Sequence, residues 1–282
     1  MRLATMRTAE GKTRAVRVED GDLVDLRAAD LSEFLARPNW RGQAAAAAEP
    51  ARDVGGGTAF DPLVPRPGKI ICVGHNYRNH ILEMGRDLPA YPTLFAKFAE
   101  TLVGANDDIV LPPETSQLDW EAELAIIIGR PARRVTGIQA EETIAGFAVL
   151  NDVSCRDWQF RTREWLQGKT WERTTPLGPY LVTPEELPGG VRPTLDITTG
   201  VDGETMQKDN TRDLLFDPVA LVEYVSTMLT LKPGDVIATG TPGGVGHARK
   251  PPIYLQPGQQ LVTQIAGLGR CQNTVVAEAL PS

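Results

Sequence analysis

Two glutamates separated by one residue are the feature of this sequence that most directly indicates chemistry. Glu121 and Glu123 precede the apolar run 124–128, which is typical of a strand buried on both faces. Side chains alternate along a strand, so the two carboxylates point to the same side, roughly 6.6 Å apart along the backbone. Two like charges at about 4 Å repel by roughly 4 kcal/mol at an effective dielectric constant near 20. Burial of both therefore calls for a cation, and oxygen ligands favour Mg²⁺, Mn²⁺ or Ca²⁺ over Zn²⁺.

A third acid stands at the end of a second apolar strand. Residues 147–150 are followed by Asn151 and Asp152, and an Asn-Asp pair at a strand end is more commonly a turn. The glutamate pair, taken alone, is equally well read as the solvated end of a strand. With Asp152 as a third ligand the metal site becomes the better interpretation. Asp119, on the same face as the glutamates, is a weaker candidate.

A candidate acid–base pair follows the buried strand expected at residues 69–74. His80 and Glu83 are three residues apart, so on a helix they face the same side. A carboxylate bound to one imidazole nitrogen raises the basicity of the ring, which leaves the other nitrogen as a general base. An ordinary surface pair is the common alternative at this spacing.

Two cations and a glycine-rich loop add further candidates. Arg156 lies four residues after Asp152, and Lys169 follows a glycine. Both can offset the negative charge of the site and hold a substrate carboxylate, although isolated Arg and Lys residues are more often surface charges. The strand expected at 235–239 enters a glycine-rich loop in which the backbone can approach a ligand and the Thr241 hydroxyl can bind a carboxylate. This loop is neither a phosphate loop nor a dinucleotide-binding turn.

Composition excludes several classes of protein. The chain has 282 residues and a net charge of -7, and it has no cluster of Lys and Arg, which argues against nucleic-acid binding. No apolar stretch is long enough to span a bilayer, and the N-terminus lacks the apolar core of a signal peptide. The three cysteines are widely spaced, so they imply neither a disulfide framework nor a zinc site. We therefore expect a cytoplasmic protein without nucleic-acid or membrane partners.

Short strands are the elements that must position these residues. Residues 1 to about 35 alternate β-like runs with turns, and a helix is expected at 29–36. A short helix from residue 44 and the loop after it are expected to link two modules. Later strands are separated by Gly and Pro turns, with helices expected only at 139–145 and 218–229. Because the pattern has no βαβ rhythm, the sequence predicts a β-rich α+β fold. We expect a small N-terminal α+β domain with a linker at 1–66 and a larger domain at 67–282.

Five ordered motifs resemble the fumarylacetoacetate hydrolase family from residue 69 to the C-terminus. The resemblance is to bacterial acylpyruvases and 2-hydroxyhepta-2,4-diene-1,7-dioate isomerases in particular. It implies a catalytic domain with a mixed β-roll, a small N-terminal domain and a homodimer. The motifs are Gly74-His75-Asn76-Tyr77 with His80 and Glu83, Asp119-Trp120-Glu121-Ala122-Glu123-Leu124, Asn151-Asp152-Val153-Ser154 with Arg156-Asp157, Gly168-Lys169-Thr170, and Thr239-Gly240-Thr241-Pro242 with Gly244-Val245-Gly246.

The resemblance also implies a role for each candidate residue. It implies that Mg²⁺ or Mn²⁺ is held by three carboxylates, with Ca²⁺ as a substitute in crystals. It further implies a water-activating dyad on a mobile lid, a charge-stabilising lysine and a set of residues that bind a 2-oxo acid. The metal ligands are Glu121, Glu123 and Asp152, the catalytic residues are His80, Glu83 and Lys169, and the substrate-binding residues are Arg156, Gln159 and Thr241.

The implied reaction is cleavage of a carbon–carbon bond in a β-diketo or acylpyruvate-type acid by a divalent-metal-dependent hydrolase, through a metal-bound enolate. His80, polarised by Glu83, would activate the water that attacks the remote carbonyl. The same enolate chemistry without attack by water would make the protein an oxaloacetate-type decarboxylase or an isomerase of an unsaturated keto-diacid. Nothing in the sequence separates these two reactions from hydrolysis. A non-catalytic protein that binds a keto acid is the alternative from another class. The presence of both His80 and Glu83 argues against it.

Overall fold

Strands predominate in the structure, and short helices lie between them. This computed structural model describes residues 1–52, 54, 59–83 and 85–279, with the backbone alone described at Glu83. The helices are α1 (Leu31–Leu35), α2 (Trp40–Ala46), α3 (Arg78–Glu83), α4 (Ile138–Thr143), α5 (Arg156–Gln159), α6 (Leu166–Lys169) and α7 (Pro218–Met228), with 3₁₀ turns at Ala99–Thr101, Pro184–Glu186, Thr211–Asp213 and Gly246–Ala248. The strands are β1 (Arg2–Arg7), β2 (Thr13–Glu19), β3 (Asp22–Asp25), β4 (Ile70–Gly74), β5 (Thr93–Lys97), β6 (Leu102–Val103), β7 (Ile109–Leu111), β8 (Leu118–Asp119), β9 (Ala122–Ile128), β10 (Ile144–Asn151), β11 (Ser154–Cys155), β12 (Thr175–Val182), β13 (Asp196–Val201), β14 (Glu204–Asn210), β15 (Val236–Ala238), β16 (Gln260–Ile265) and β17 (Gly269–Ala277).

The largest sheet has ten strands and mixed direction. Its order is β3-β2-β1-β12-β10-β9-β15-β4-β5, and β6 pairs with β12 outside this path. The β15–β4 and β12–β6 pairs are parallel and the others are antiparallel, which confirms the predicted β-rich α+β class. The first three strands continue this sheet, since Arg2 pairs with Val182. The division into domains at 1–66 and 67–282 stays a prediction.

The two central strands, β9 and β10, are buried along their whole length. Alternate residues of β9 enter different apolar clusters. Leu124 packs in one cluster together with residues of α7, and Ala125 packs in another together with residues of α1. Both faces of the strand are therefore covered, as the unbroken apolar run predicted. An acidic residue on β9 consequently has no solvated face available to it.

A second, five-stranded sheet has the order β14-β13-β16-β17-β7, and β8 and β11 form a short two-stranded ladder. That ladder continues the antiparallel register of β9 and β10, because Glu123 faces Leu150 and Asp119 faces Ser154. The strand pairing is interrupted between the two ladders. Within the interruption, the Asp152 N–H donates a hydrogen bond of 2.8 Å to the carbonyl oxygen of Glu121. The side chains at this break are not part of a regular ladder face.

Local signals explain where the helices begin and end. Asp217 caps α7 by accepting hydrogen bonds from the N–H groups of Val219 and Ala220, as expected for aspartate before a helix. The helix expected at 139–145 ends at Thr143, because Ile144 pairs with a strand of the large sheet. Among the described residues, no helix is long and apolar enough to cross a bilayer.

Candidate active site and metal centre

Three buried carboxylates meet where the ladder is interrupted. Glu121, Glu123 and Asp152 each offer an oxygen atom, and these oxygens lie within 4.8 Å of one another. Glu123 lies on β9, Glu121 stands immediately before that strand, and Asp152 lies opposite Glu121 in the register that the two ladders share. An all-carboxylate donor set with this spacing suits a hard divalent cation. The predicted metal-binding triad is therefore present.

Electrostatics at Glu123 support the same assignment. Its Oε2 accepts a hydrogen bond of 2.7 Å from the N–H of Gly240, a residue with φ of 95°, in the region that favours glycine. Burial, followed by the charges of Asp152 and Glu121, raises the pKa of Glu123 well above its usual value. Negative charge is thus concentrated without full compensation, and a bound divalent cation would relieve it. The residues present fit such an ion.

Two buried lysines neutralise part of this charge. The Nζ of Lys169 lies 2.7 Å from Glu121 Oε2 and 2.8 Å from Asp152 Oδ2. The Nζ of Lys97 lies 2.6 Å from Asp152 Oδ1 and donates a second hydrogen bond, of 3.1 Å, to the carbonyl oxygen of Val153. The sequence predictions did not include Lys97, because a single lysine at the end of a strand resembles a surface residue.

The charge state of Lys169 decides what this residue can do. Burial lowers the pKa of Lys169, but the carboxylates of Asp152 and Glu121 outweigh that effect and raise the pKa above its ordinary value. The side chain therefore remains an ammonium group. An ammonium suits electrostatic stabilisation of a developing anion, whereas a general base would have to be neutral.

Arg156 is buried, so its interpretation as a surface charge is wrong. Its Nε lies 2.8 Å from Asp119 Oδ2, and its NH1 lies 2.6 Å from Glu121 Oε1. The same NH1 donates a hydrogen bond of 2.8 Å to Gln159 Oε1. Asp119, the weaker candidate for a metal ligand, accepts the hydrogen bond from Arg156 Nε and two more from the N–H groups of Gly246 and His247. It therefore anchors the surrounding loops and is not part of the triad.

The Thr241 hydroxyl is oriented by a glutamine from the second sheet. Gln207 Nε2 donates a hydrogen bond of 2.9 Å to Thr241 Oγ1. The Oε1 of the same glutamine accepts from the Ala122 N–H at 3.0 Å and from the Thr199 hydroxyl at 2.8 Å, which fixes the amide. Since Thr241 already accepts one hydrogen bond, its own proton is left to donate. Gln207 was missed because it lies in β14, whose sequence is otherwise polar.

Most of the predicted site residues line one cavity of about 500 Å³. His80, on α3, is half-buried there. The side chain of Glu83 lies outside the described residues, so its pairing with His80 stays a prediction. Asp152 reaches the same site through its ion pair with Lys169. The predicted residues in the cavity wall are His80, Glu121, Glu123, Arg156, Gln159, Lys169 and Thr241.

Replacing Glu123 by glutamine should remove tight binding of a divalent ion while the protein stays folded. A neutral amide keeps the shape of the side chain and can still accept from Gly240, but it supplies no charge. We expect Mn²⁺ affinity to fall by at least about 100-fold, more than for loss of a group that only supports a ligand. Equilibrium dialysis measures this, with Glu164→Gln at an exposed position as the control. Equal Mn²⁺ affinity in the two variants would contradict the ligand assignment.

Replacing Lys97 by methionine should destabilise the metal-free protein by about 3–5 kcal/mol, because a buried carboxylate, Asp152, loses a cation. Saturating Mg²⁺ should recover part of this loss, since the ion restores positive charge at the triad. Urea denaturation with and without Mg²⁺ measures both effects. The control is Lys12→Met, which breaks an exposed ion pair with Glu10 and should cost no more than about 1 kcal/mol. A loss at Lys97 no larger than the control's would show that this lysine is dispensable.

Comparison with known proteins agrees with the geometry of this site. The family model described as fumarylacetoacetate (FAA) hydrolase C-terminal matches residues 69–276. Human oxaloacetate tautomerase FAHD2A, mitochondrial, is 44% identical over 215 residues, which cover 76% of this chain and 68% of that protein. The relative's name places it in mitochondria, so a cytoplasmic location for this chain stays a prediction.

Solved structures share the fold over almost the whole chain. Fumarylacetoacetate hydrolase from Exiguobacterium antarcticum is 35% identical with a TM-score of 0.85, covering 99% of this chain and 100% of that one. The 2-hydroxyhepta-2,4-diene-1,7-dioate isomerase from Mycobacterium marinum is 32% identical with a TM-score of 0.77, with the same coverage. The family match, the shared fold and the buried acidic triad lead to one conclusion: this chain is an enzyme of the fumarylacetoacetate hydrolase family.

Proposed function

We propose that this protein is a divalent-metal-dependent enzyme that acts on a 2-oxo acid through its enol form. Its basic reaction is transfer of a proton between C3 and the oxo oxygen of the substrate, which is a keto–enol tautomerisation. The observation that carries the proposal is the ammonium group of Lys169, held 2.7 Å from Glu121 and 2.8 Å from Asp152 in the cavity wall. A fixed cation beside a three-carboxylate metal site is suited to an oxygen atom that gains negative charge during the reaction.

Each residue near the triad has a distinct part in this reaction. When bound at the triad, Mg²⁺ or Mn²⁺ supplies Lewis acidity toward the oxo group of the substrate. Lys169 stabilises the negative charge that develops on the oxo oxygen. Thr241 donates the proton of its hydroxyl to the substrate carboxylate, and the hydrogen bond from Gln207 orients that hydroxyl. Arg156 holds Gln159 through Oε1, which leaves the amide N–H groups of Gln159 to bind the same carboxylate.

His80 is the proposed base. It lies half-buried in the wall of the same cavity, and an imidazole is basic enough near neutral pH to remove an acidified C3 proton. Lys169 does not take this part, since its raised pKa keeps it protonated. The proton removed from C3 is returned to the enol oxygen or, in the reverse direction, from that oxygen to C3.

The names of the tautomerase and the isomerase describe different reactions, but the substrates of both are 2-oxo acids that form enols. Oxaloacetate is an enolisable 2-oxo acid, and a 2-hydroxy-2,4-dienoate is the enol form of one. We therefore favour tautomerisation of oxaloacetate or a similar acid as the first activity to test.

Hydrolysis of a carbon–carbon bond is the second candidate, and the spacing of His80 and Glu83 within α3 favours it. In this reaction His80 activates a water molecule that attacks the remote carbonyl of an acylpyruvate. Decarboxylation of oxaloacetate breaks its C3–C4 bond and leaves CO₂ and the enolate of pyruvate, whereas isomerisation only moves a proton, so the products distinguish the two reactions. We also propose that the protein forms a homodimer, on the basis of the resemblance alone.

Product analysis separates these candidates. The purified protein is incubated with Mg²⁺ or Mn²⁺ and either oxaloacetate or acetylpyruvate. Faster decay of enol absorbance, with no pyruvate or CO₂ above the uncatalysed level, identifies a tautomerase, whereas CO₂ and pyruvate identify a decarboxylase. Acetate and pyruvate from acetylpyruvate identify a hydrolase. If none of these rates exceeds the rate with metal alone, the proposed function is wrong, and saturable binding would then indicate a binding protein.

Replacing His80 by glutamine should slow the enzyme by roughly 10²- to 10⁴-fold, the usual contribution of a general base. Mn²⁺ affinity should not change, because His80 is not one of the three carboxylate ligands. Steady-state rates and equilibrium dialysis give the two measurements. Asn79→Ala, at an exposed position of the same helix, is the control for effects on α3. A His80 variant as fast as this control would exclude His80 from the chemical step.

A further inference from the structure

A second cationic group lines the same cavity. The NH1 atom of Arg86 lies 3.1 Å from Nε2 of His75, and both residues line the cavity together with Glu121 and Lys169. His75 is half-buried and Arg86 is exposed. Within the part of the chain that the structure describes, Arg86 forms no ion pair with a carboxylate. The proposed roles above leave this pair unused.

The end of helix α3 positions Arg86. Gly85 has φ of 66°, in the left-handed region that favours glycine after a helix. Its N–H donates to the carbonyl oxygen of Leu82 at 2.9 Å, and the Arg86 N–H donates to that of Ile81 at 3.2 Å. These two hydrogen bonds form a helix C-terminal cap. The cap fixes the backbone of Arg86 relative to the helix that carries His80.

The backbone of His75 takes a conformation that requires support from its surroundings. Its φ of 54° lies in the left-handed region, which non-glycine residues rarely adopt outside functional sites and tight turns. The next residue, Asn76, donates hydrogen bonds to the carbonyl oxygens of Phe216 and Thr239 at 3.0 and 2.8 Å. The ring of Trp165 packs edge-on against the imidazole, with 5.3 Å between the ring centroids. The His75 side chain is therefore held at the cavity wall.

Charges around His75 define its part in the pair. Burial, and then the charges of Arg86 and His80, lower the pKa of His75 below its usual value. The imidazole is therefore neutral near pH 7, and Nε2 can accept a hydrogen bond from the guanidinium. In this arrangement His75 orients Arg86, and Arg86 carries the positive charge.

We propose that Arg86, oriented by His75, binds a second carboxylate of the substrate, so that the enzyme selects 2-oxo diacids over 2-oxo monoacids of similar size. This inference rests on the proposed function, in which the oxo group lies at the metal triad and Thr241 and Gln159 bind the first carboxylate. A guanidinium binds a carboxylate through two parallel hydrogen bonds, which an uncharged group cannot match. Arg86 is thus a specificity-determining residue and His75 a positioning residue.

Two substrates that differ in the remote group test the proposal. Oxaloacetate ends in a carboxylate, whereas acetylpyruvate carries a methyl ketone at the same place. Arg86→Leu should lower kcat/KM for oxaloacetate by about 10- to 100-fold, the effect of losing a hydrogen bond to a charged group, and mainly through KM. Turnover of acetylpyruvate should change little. Arg86→Lys should retain part of the preference, and Arg270→Leu, exposed and outside the cavity wall, is the control.

A positioning role for His75 predicts a smaller effect in the same direction. His75→Asn keeps a residue type that tolerates the left-handed region, so folding is preserved. This variant should raise KM for oxaloacetate less than Arg86→Leu does and leave kcat nearly unchanged. The proposal would be overturned if Arg86→Leu lowered kcat/KM equally for both substrates, or did not lower kcat/KM for oxaloacetate.

Binding of unreactive acids separates this proposal from the proposed function. Malate and 2-hydroxybutyrate have the same carbon chain, and malate alone carries the second carboxylate. In calorimetric titrations with Mg²⁺, Arg86→Leu should weaken the binding of malate and leave the binding of 2-hydroxybutyrate unchanged. This holds even if the protein turns over neither oxo acid. That result would support the carboxylate subsite even though the proposed reaction was wrong. If Arg86→Leu weakens the binding of both acids equally, or of neither, the carboxylate subsite is rejected.

Discussion

The balance of buried charge around the triad is the constraint on which the rest of the structure depends. Carboxylates and cations that are all shielded from water must compensate one another, because each is costly to bury alone. Glu123 differs from the other acids, since the described part of the chain shows it in no ion pair, and burial raises its pKa. The positive charge that the site lacks is therefore the one that would compensate Glu123, on strand β9. The acids are Asp119, Glu121, Glu123 and Asp152, and the cations are Lys97, Lys169 and Arg156.

The fold brings these groups together from elements that are far apart in sequence. The acids come from the segment that runs from β8 into β9 and from the residue that follows β10. Strand β5 ends in Lys97, and two short helices supply Arg156 and Lys169. The second sheet contributes through Gln207, which contacts both β9 and the loop after β15. Such a site needs both sheets and their connections in place, because no single element carries both the charge and its compensation.

The sequence predicted the parts of this site that are encoded locally. Alternation in a strand places Glu121 and Glu123 on one face, and an unbroken apolar run indicates burial, so the acids and their strands were predicted correctly. Lys97 and Gln207 were missed because their roles depend on contacts with residues that are distant in sequence. Strands β14 and β17 were also missed. Polar residues are frequent in both, and neither shows the clear apolar run that marks β9.

The interrupted ladder has a consequence for how this protein can change during evolution. Strands β8 and β11 keep the register of β9 and β10, so the segment between Asp119 and Glu123 has a length matched to its partner across the break. One inserted residue would shift one side of the ladder relative to the other and turn every following side chain to the opposite face. We therefore expect descendants of this chain to diverge in loops that border the cavity and to keep the length of this short stretch.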